Sequence, residues 1–459
     1  MTDPLIQSAA KLLAAADFVA LREVAWRDPI SVAAAYAQEP YAGILASGAD
    51  GWSYVFRAPD AVLTLEDSGA SLAEVVGFLD LSRSLEPRGP PFQGGVIGLA
   101  SYELSARLEA TAPQRRGEWP DLVLMRFSAL LAFHWGERRA VAIGRGPDPE
   151  VAAARAAKAA SWTHAPGRRP ACGPLAASLN LPVSDQAHAK AIAQTLDRIA
   201  AGEIFQANLA RPWTGRLAPG AAPFDLFQRL TRRSPAPYAA YLRLPGRALV
   251  SNSPERFLSV RPTDDGLRVR TDPIKGTRPR HADPARDQAL AAELLASDKD
   301  HAENLMIVDL MRNDLARVSI PGSVRVPALA ALNSYANVHH LVSQVEAVLA
   351  PGKSAWDAVL AAFPPGSVTG APKLQAMQVI AGHEPPRGPY CGSLFWLGAD
   401  GALDASVLIR TVACVEGPGG WSFEARAGGG IVADSIPVDE VAETHAKISA
   451  ILGALTGAS

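Results

Sequence analysis

The chain has 459 residues, 48% of them hydrophobic and 20% charged, so it can bury a large core and is too apolar to be disordered. Its 44 Lys and Arg against 46 Asp and Glu give a net charge of −2, which excludes the basic footprint of a nucleic-acid binder. No apolar run approaches the roughly 18 residues of a membrane span. Asp3, Lys11 and Asp17 interrupt the apolar pattern of the N-terminus, so no signal peptide is expected. Cys172, Cys391 and Cys414 match no zinc or redox spacing and fit a reducing cytoplasm.

In chain order, residues 1–145 carry scattered strand-like segments, such as 61–65 and 122–133, with a glycine turn at Gly94-Gly95. Residues 146–183 read as an alanine-rich helix and then a Pro/Gly-rich tract from 165 to 182, the best linker candidate, although a long surface connection inside one domain fits equally. Residues 184–459 open with Ser184-Asp185 as helix caps, a helix to 201 and a stop at Gly202. Strands are expected at 204–210, 267–274 and 406–412, and helices at 286–315 and from the Asp434-Ser435 cap to 455. Strands and helices mix without strict alternation, so the class is α/β or α+β.

Several side chains invite chemistry. Asp300 and Glu303 share one helix side, as do Glu440, Glu443 and Lys447. Two such acidic faces could meet around Mg²⁺, which takes hard oxygen ligands and keeps waters for its substrate; a solvated helix surface fits the spacing too. Gly428-Gly429-Gly430, at a strand-to-helix junction, lets backbone N–H groups approach an anion, or is simply a turn. Arg410 in an apolar strand needs an anionic partner, from the protein or from a ligand. Lys275 is either a nucleophile or a turn lysine, Glu255 either a general acid or a salt-bridged loop residue. His339-His340 could bind a metal or a carboxylate, and paired histidines are commonly structural.

Longer motifs narrow these readings. Gly202-Glu203-Ile204-Phe205-Gln206-Ala207-Asn208-Leu209, Ser253-Pro254-Glu255-Arg256-Phe257, Pro273-Ile274-Lys275-Gly276-Thr277, the run from Lys299 to Asp314, Val338-His339-His340-Leu341, Gly366-Ser367-Val368-Thr369-Gly370-Ala371-Pro372-Lys373, Ile409-Arg410-Thr411 and the run from Gly428 to Ser435 follow one another. In this order they resemble the chorismate-utilising enzymes, and most closely the large, chorismate-binding subunits of aminodeoxychorismate synthases. The resemblance covers residues 185–455, with a thinner match at Pro91-Phe92-Gln93-Gly94-Gly95.

That resemblance implies two large antiparallel sheets packed as a sandwich and flanked by helices, with strands from both halves of the chain forming one body. It implies Mg²⁺ held by Glu303 and Glu443, supported by Asp300 and Glu440. Substrate would be bound by Gln206, Gly276, Thr277, His340, Thr369, Tyr390, Arg410, Lys447 and the N–H groups of Gly428, Gly429 and Gly430. Isochorismate- and salicylate-forming relatives carry a water-activating lysine where this chain has Gln206, which cannot act as a base. Anthranilate synthases carry a small residue in place of Lys275. A lysine there implies a covalent adduct at chorismate C2, with Glu255 as acid for the departing C4 hydroxyl, and 4-amino-4-deoxychorismate as product. Anthranilate formation is the alternative, and a non-catalytic chorismate- or tryptophan-binding regulatory subunit a further one.

No cysteine lies in a glutaminase elbow, so ammonia is expected from solution or from a separate glutamine amidotransferase subunit. The residues after Lys447 are too few for a fused lyase. Relatives that bind tryptophan in the N-terminal sheet have a glutamate where Ile44-Leu45-Ala46-Ser47-Gly48 has alanine; Ser47 with Pro237, Tyr238 and Ala239 could still form such a cleft. Phe395 replaces a glycine common in the family and is expected to narrow the pocket.

Overall fold

Strands and helices share the described residues of the computed structural model, which are 18–47, 51–66, 71–81, 86, 89–167, 170–334 and 338–457. The N-terminal residues Asp3, Lys11 and Asp17, and Gly48 of the tryptophan element, lie outside them. Among the described residues one antiparallel sheet has twelve strands and a second has ten. Strands from before residue 145 pair with strands from after 184 in both. Gly43–Ala46 runs beside Tyr238–Leu244 in the first sheet, with Ile44 opposite Tyr241. Gly95–Ala100 runs beside Ser393–Gly398 in the second, with Gly98 opposite Phe395.

The inner faces supply Tyr54, Phe56, Ile97, Met125, Phe127, Leu242, Leu249 and Trp396 to one apolar layer between the sheets. Outside it, Pro149–Ser161, Pro223–Arg233 and Pro437–Thr456 cover the first sheet, and Asp298–Ala316 and Ala355–Ala362 the second. With both faces covered, the strand Gln206–Leu217 reads as a nearly continuous buried run and not as an alternation. The helix Asp185–Ala200 starts as expected, with Ser184 Oγ accepting the Ala187 N–H at 3.1 Å. The last helix ends at Gly457, whose φ of +76° suits a residue without Cβ.

Tertiary context moved several boundaries. The expected strand at 122–133 is two strands in different sheets, Leu122–Phe127 and Ala129–His134, hinged at Ser128, whose N–H and hydroxyl both bond Asp60. The strand at 406–412 likewise splits into Leu403–Val407 in the second sheet and Thr411–Gly417 in the first. Pro273, without an N–H, separates Gly266–Thr271 from Ile274–Pro279. The helix at 286–315 is Pro284–Leu295 and Asp298–Ala316, broken where Ser297 Oγ caps the second by accepting the Asp300 N–H. Asp434-Ser435 is not the cap of the last helix, which starts at Pro437, because Ser435 Oγ is engaged by Glu440. The tract 165–182 is no free linker: Ala176–Asn180 adds a strand to Gln206–Leu217, and the N–H of buried Leu175 bonds Leu455 O.

Phe395, expected to narrow the pocket, spends its ring on Trp356, 5.6 Å away between centroids, and on the bare backbone of Gly98. A Cβ at Gly98 would sit 2.2 Å from that ring. Gly98→Ala is therefore expected to destabilise the fold by ~1–3 kcal/mol through overpacking, read as a lower denaturant midpoint. A midpoint equal to the parent's would mean that the ring yields freely.

Candidate active site

The site grows from one pair of strands. Gly420–Ile431 and Gln206–Leu217 run antiparallel with Asn208 opposite Gly430 and Ala210 opposite Gly428. The N–H groups of Asn208 and Ala210 point away from that ladder, to Thr369 O and Glu384 Oε1. These are thus the wide, non-bonded pairs, and Gly428 and Gly430 turn their own N–H and C=O groups to the other side. On that side the neighbouring strand has already ended its pairing, at Val412 opposite Ala425. The glycine run is therefore strand interior, not the strand-to-helix turn expected, and the N–H groups of Gly428 and Gly430 face an open edge.

The missing side chains matter as much. A Cβ at Gly430 would lie 2.9 Å from Gln206 Nε2 and 3.2 Å from Lys275 Nζ. Gln206 is fully buried, and among the described residues neither its oxygen nor its nitrogen has a hydrogen-bond partner. A buried amide left unpaired costs about 1–3 kcal/mol, which makes Gln206 a candidate for pairing with a ligand.

Lys275 comes from the edge strand Ile274–Pro279, whose register with Val338–Val348 slips between Lys275 and Thr277. Gly276 absorbs the slip with a φ of +79°, and a Cβ there would meet Asp300 at 3.0 Å. Lys275 Nζ lies 3.3 Å from Glu303 Oε2 with both side chains largely shielded, so Lys275 is not an exposed turn lysine. Thr277 Oγ1 and His340 Nδ1 stand 2.9 Å apart beside it, and burial lowers the His340 pKa.

Glu255 is buried between the sheets' ends, with Ser367 Oγ donating to its Oε1 at 2.6 Å. Burial lifts its carboxyl above the usual range against the pull of that hydroxyl and of Lys275, Lys447 and Arg410. Arg410 is not in a strand. It occupies the connection between the sheets with a φ of +50°, rare for a residue with a Cβ, and Asn252 N–H holds its carbonyl at 3.0 Å. Crowding by protein lowers its pKa, and Glu255 opposes that. Lys447 Nζ donates to Gly428 O at 2.9 Å and pairs with Glu443 Oε1 at 2.5 Å.

The acidic face of the last helix approaches the glycine strand. A Cβ at Gly429 would be 2.7 Å from Glu440 Oε2 and 3.9 Å from Glu443 Oε2. Burial first, and the charge of Glu443 as well, raise the Glu440 pKa, while Ser435 holds its Oε1 at 2.7 Å. Asp300 faces Arg278 at 3.6 Å. Among the described residues no three His, Cys, Asp or Glu side chains converge on one point that could hold a metal ion. Instead lysines sit on the carboxylates, Lys275 and Lys299 on Glu303 and Lys447 on Glu443. The donors are carboxylate oxygens only, as a hard cation requires, and Mg²⁺ needs just one or two of them beside waters and substrate. Crowded acids next to a buried glutamate suit that charge.

Cations, open N–H groups, an unpaired amide and a buried acid thus surround one glycine strand, a setting for a small polar anion. The profile of the family described as chorismate binding enzyme matches residues 40–453. The chain belongs to that family. It is 39% identical over 421 residues to anthranilate synthase component 1 of Thermus thermophilus, covering 87% of this chain and 86% of that protein. It is also 39% identical over 372 residues to aminodeoxychorismate synthase component 1 of Klebsiella aerogenes, covering 79% and 77%. The crystal structure of anthranilate synthase component I from Streptococcus pneumoniae superposes with a TM-score of 0.76 at 26% identity, over 89% of this chain and 93% of that one. The two-sheet sandwich with its helices is that fold.

In this chorismate-utilising enzyme, other expected residues are engaged by neighbouring protein groups. Tyr390 is buried in a cluster with Arg387, Glu384 and Cys391, and burial holds its pKa well above the ordinary value. Thr369 is fully buried; its hydroxyl donates to Pro365 O at 2.9 Å. His339 is spent between Asp287, at 3.1 Å, and Ser334, at 2.7 Å, as a structural histidine. Arg387 donates to Asn208 O and Val368 O while Glu384 accepts from Ala210, which braces the strand carrying Gln206. Neither that pair nor Ser367 was picked out from the sequence; Ser367 lay in a recognised motif but carried no role.

Ser47, Pro237, Tyr238 and Ala239 do meet, in a cleft between the sheets lined also by Tyr54, Trp396 and Asp404. Among the described residues no helix is long and apolar enough to cross a membrane.

Proposed function

We propose that this chain is the chorismate-binding subunit of an aminodeoxychorismate synthase, making 4-amino-4-deoxychorismate, a precursor of 4-aminobenzoate and folate. The observation that supports this most is Lys275: an amine beside the unpaired Gln206 amide and Gly430, within reach of the field of buried Glu255.

In this reading the Lys275 nitrogen bonds to chorismate C2 and gives its extra proton to solvent, while the ring double bonds shift and the C4 hydroxyl departs. Glu255, which burial keeps inclined to hold its proton, gives that proton to the hydroxyl, and water leaves. Ammonia then bonds to C4 and its nitrogen loses a proton, the double bonds shift back, and the lysine nitrogen takes up a proton as it leaves as the amine. Arg410, Lys447 and the N–H groups of Gly428 and Gly430 would hold carboxylate and hydroxyl groups in place. Glu303 and Glu443 would hold Mg²⁺, with Asp300 and Glu440 in support; when bound, the ion would supply positive charge for a substrate carboxylate. Gln206 would orient substrate without activating water.

The Thermus relative, as similar as the Klebsiella one, favours anthranilate as the second reading. Mass analysis of the product from chorismate, ammonium and Mg²⁺ separates them: 4-amino-4-deoxychorismate is expected, and anthranilate with pyruvate would replace the proposal.

Ammonia would come from a separate glutamine amidotransferase subunit. Burial pushes the thiols of Cys391 and Cys414 up to about 12, far from an activated nucleophile, and Cys172 is an isolated exposed cysteine. Ammonium is therefore expected to support turnover and glutamine to support none until an amidotransferase is added. Glutamine-dependent product from the purified chain alone, lost on mutating one cysteine, would overturn this. The inter-sheet cleft at Ser47, Pro237, Tyr238 and Ala239 is proposed as a tryptophan site.

A further inference from the structure

We propose that Ser367 is a positioning residue for the acid step: its hydroxyl assigns the proton of Glu255 to Oε2 and holds that oxygen toward the reacting group. The inference rests on the role given to Glu255 above and extends it to a residue that no motif singles out.

The geometry comes first. Among the described residues Ser367 makes the one side-chain hydrogen bond of Glu255, Oγ to Oε1 at 2.6 Å. The main chain of Glu255 is fixed from elsewhere. Its N–H donates to Ser253 Oγ at 3.2 Å, and Val407 N–H donates to its carbonyl at 3.0 Å. With the backbone pinned by the strands, the remaining freedom of the acid is rotation of its carboxyl group, and Ser367 acts on that alone.

Ser367 is itself well placed to act. It sits in the short helical turn Gly366–Val368. Arg387 holds Val368 O at 3.1 Å, Thr369 Oγ1 holds Pro365 O at 2.9 Å, and Asn208 N–H holds Thr369 O at 2.9 Å. The turn is thus tied to the strand that carries Gln206, so acid and amide share one frame.

A hydroxyl that donates to one carboxyl oxygen leaves that oxygen as the acceptor. Where the hydroxyl keeps that donor role in the acid form, the proton resides on the other oxygen, Oε2. Without Ser367 the proton could occupy either oxygen and the carboxyl could turn. The same donation favours the charged form, so it works against burial together with the facing cations Lys275, Lys447 and Arg410. Removing it raises the folded-state pKa of Glu255. A general acid works while protonated, so the limb on which kcat falls with rising pH moves to higher pH.

The test is a pH profile of kcat for chorismate amination at fixed free-ammonia concentration. Ser367→Ala is expected to lower the maximal kcat by about tenfold to a hundredfold, part of the roughly 10²–10⁴-fold that acid catalysis supplies, with little change in KM. Its alkaline limb is expected to shift upward. Ser367→Thr, which keeps the hydroxyl at a half-buried position, should restore both. If Ser367→Ala lacks a cooperative melt, Ser367→Cys carries the same expectation with a weaker donor. Glu255→Gln, measured alongside, separates the two levels. Full activity in Glu255→Gln would remove Glu255 as the acid. An inactive Glu255→Gln with parental kcat and an unshifted limb in Ser367→Ala would overturn the role of Ser367 alone. A lowered kcat without a shifted limb, unrescued by threonine, would also overturn it and leave Ser367 a structural residue.

Discussion

Lys275→Ala is expected to reduce amination of chorismate at C4 by at least about a thousandfold in kcat, the scale on which loss of a nucleophile is felt. The strand Ile274–Pro279 delivers this amine by a bulge at Gly276, and Glu303 Oε2 stands 3.3 Å from it. Truncation removes the amine but neither the bulge nor the hydrogen-bonded neighbours Thr277 and His340, so chorismate should still bind. KM should stay within a few-fold while kcat collapses. Intact-mass measurement during turnover is the direct check: the parent should show a chorismate-derived adduct, minus water, that Lys275→Ala lacks. Borohydride should not trap it, because the bond is a secondary amine and not an imine. Full activity in Lys275→Ala would end the covalent mechanism. A switch to anthranilate in that variant would show that the amine chooses the product.

What the sequence could reveal followed the range of the interactions involved. Lys275, Glu255, Gln206 and the glycine run were legible because their neighbours in sequence form long motifs. The Ser184 cap and the Gly202 stop were legible because both act within one turn. Pairings such as Gly98 with Phe395, or Ile44 with Tyr241, join residues hundreds of positions apart, and no local pattern announces them. The same distance explains the misplaced boundaries. Nothing near residue 128 shows that the chain changes sheets there, and nothing near Arg410 shows that an apolar run will break at a left-handed residue. Burial on both faces erased the alternation that would have located strand ends, as along Gln206–Leu217. Tyr390 was named by its motif, yet its contacts lie in the Arg387–Glu384 cluster, a relation visible only in three dimensions. Ser367 is the converse: its motif was in view, but its bond to Glu255 spans 112 positions.

Glu303→Gln and Glu443→Gln are each expected to weaken Mg²⁺ binding by at least about tenfold, since even losing a partner of a ligand costs 10–100-fold in metal affinity. Titration calorimetry with Mg²⁺ reads this without relying on turnover, and activity at limiting Mg²⁺ should fall in parallel. The amide keeps shape and one acceptor oxygen, so the loss would report charge and not packing. Glu440→Gln should weaken binding less, because Ser435 already occupies one of its oxygens. Unchanged affinity in either of the first two variants would strike that residue from the ligand set. A control comes from the lysine: Lys447 Nζ lies 2.5 Å from Glu443 Oε1, so ammonium and cation compete for the same carboxylate. Without chorismate present, Lys447→Ala should therefore tighten Mg²⁺ binding, even as it weakens the hold on substrate. If it loosened the metal instead, Glu443 would be a partner of Lys447 alone, and the cation would have to rest on Glu303 and its neighbours.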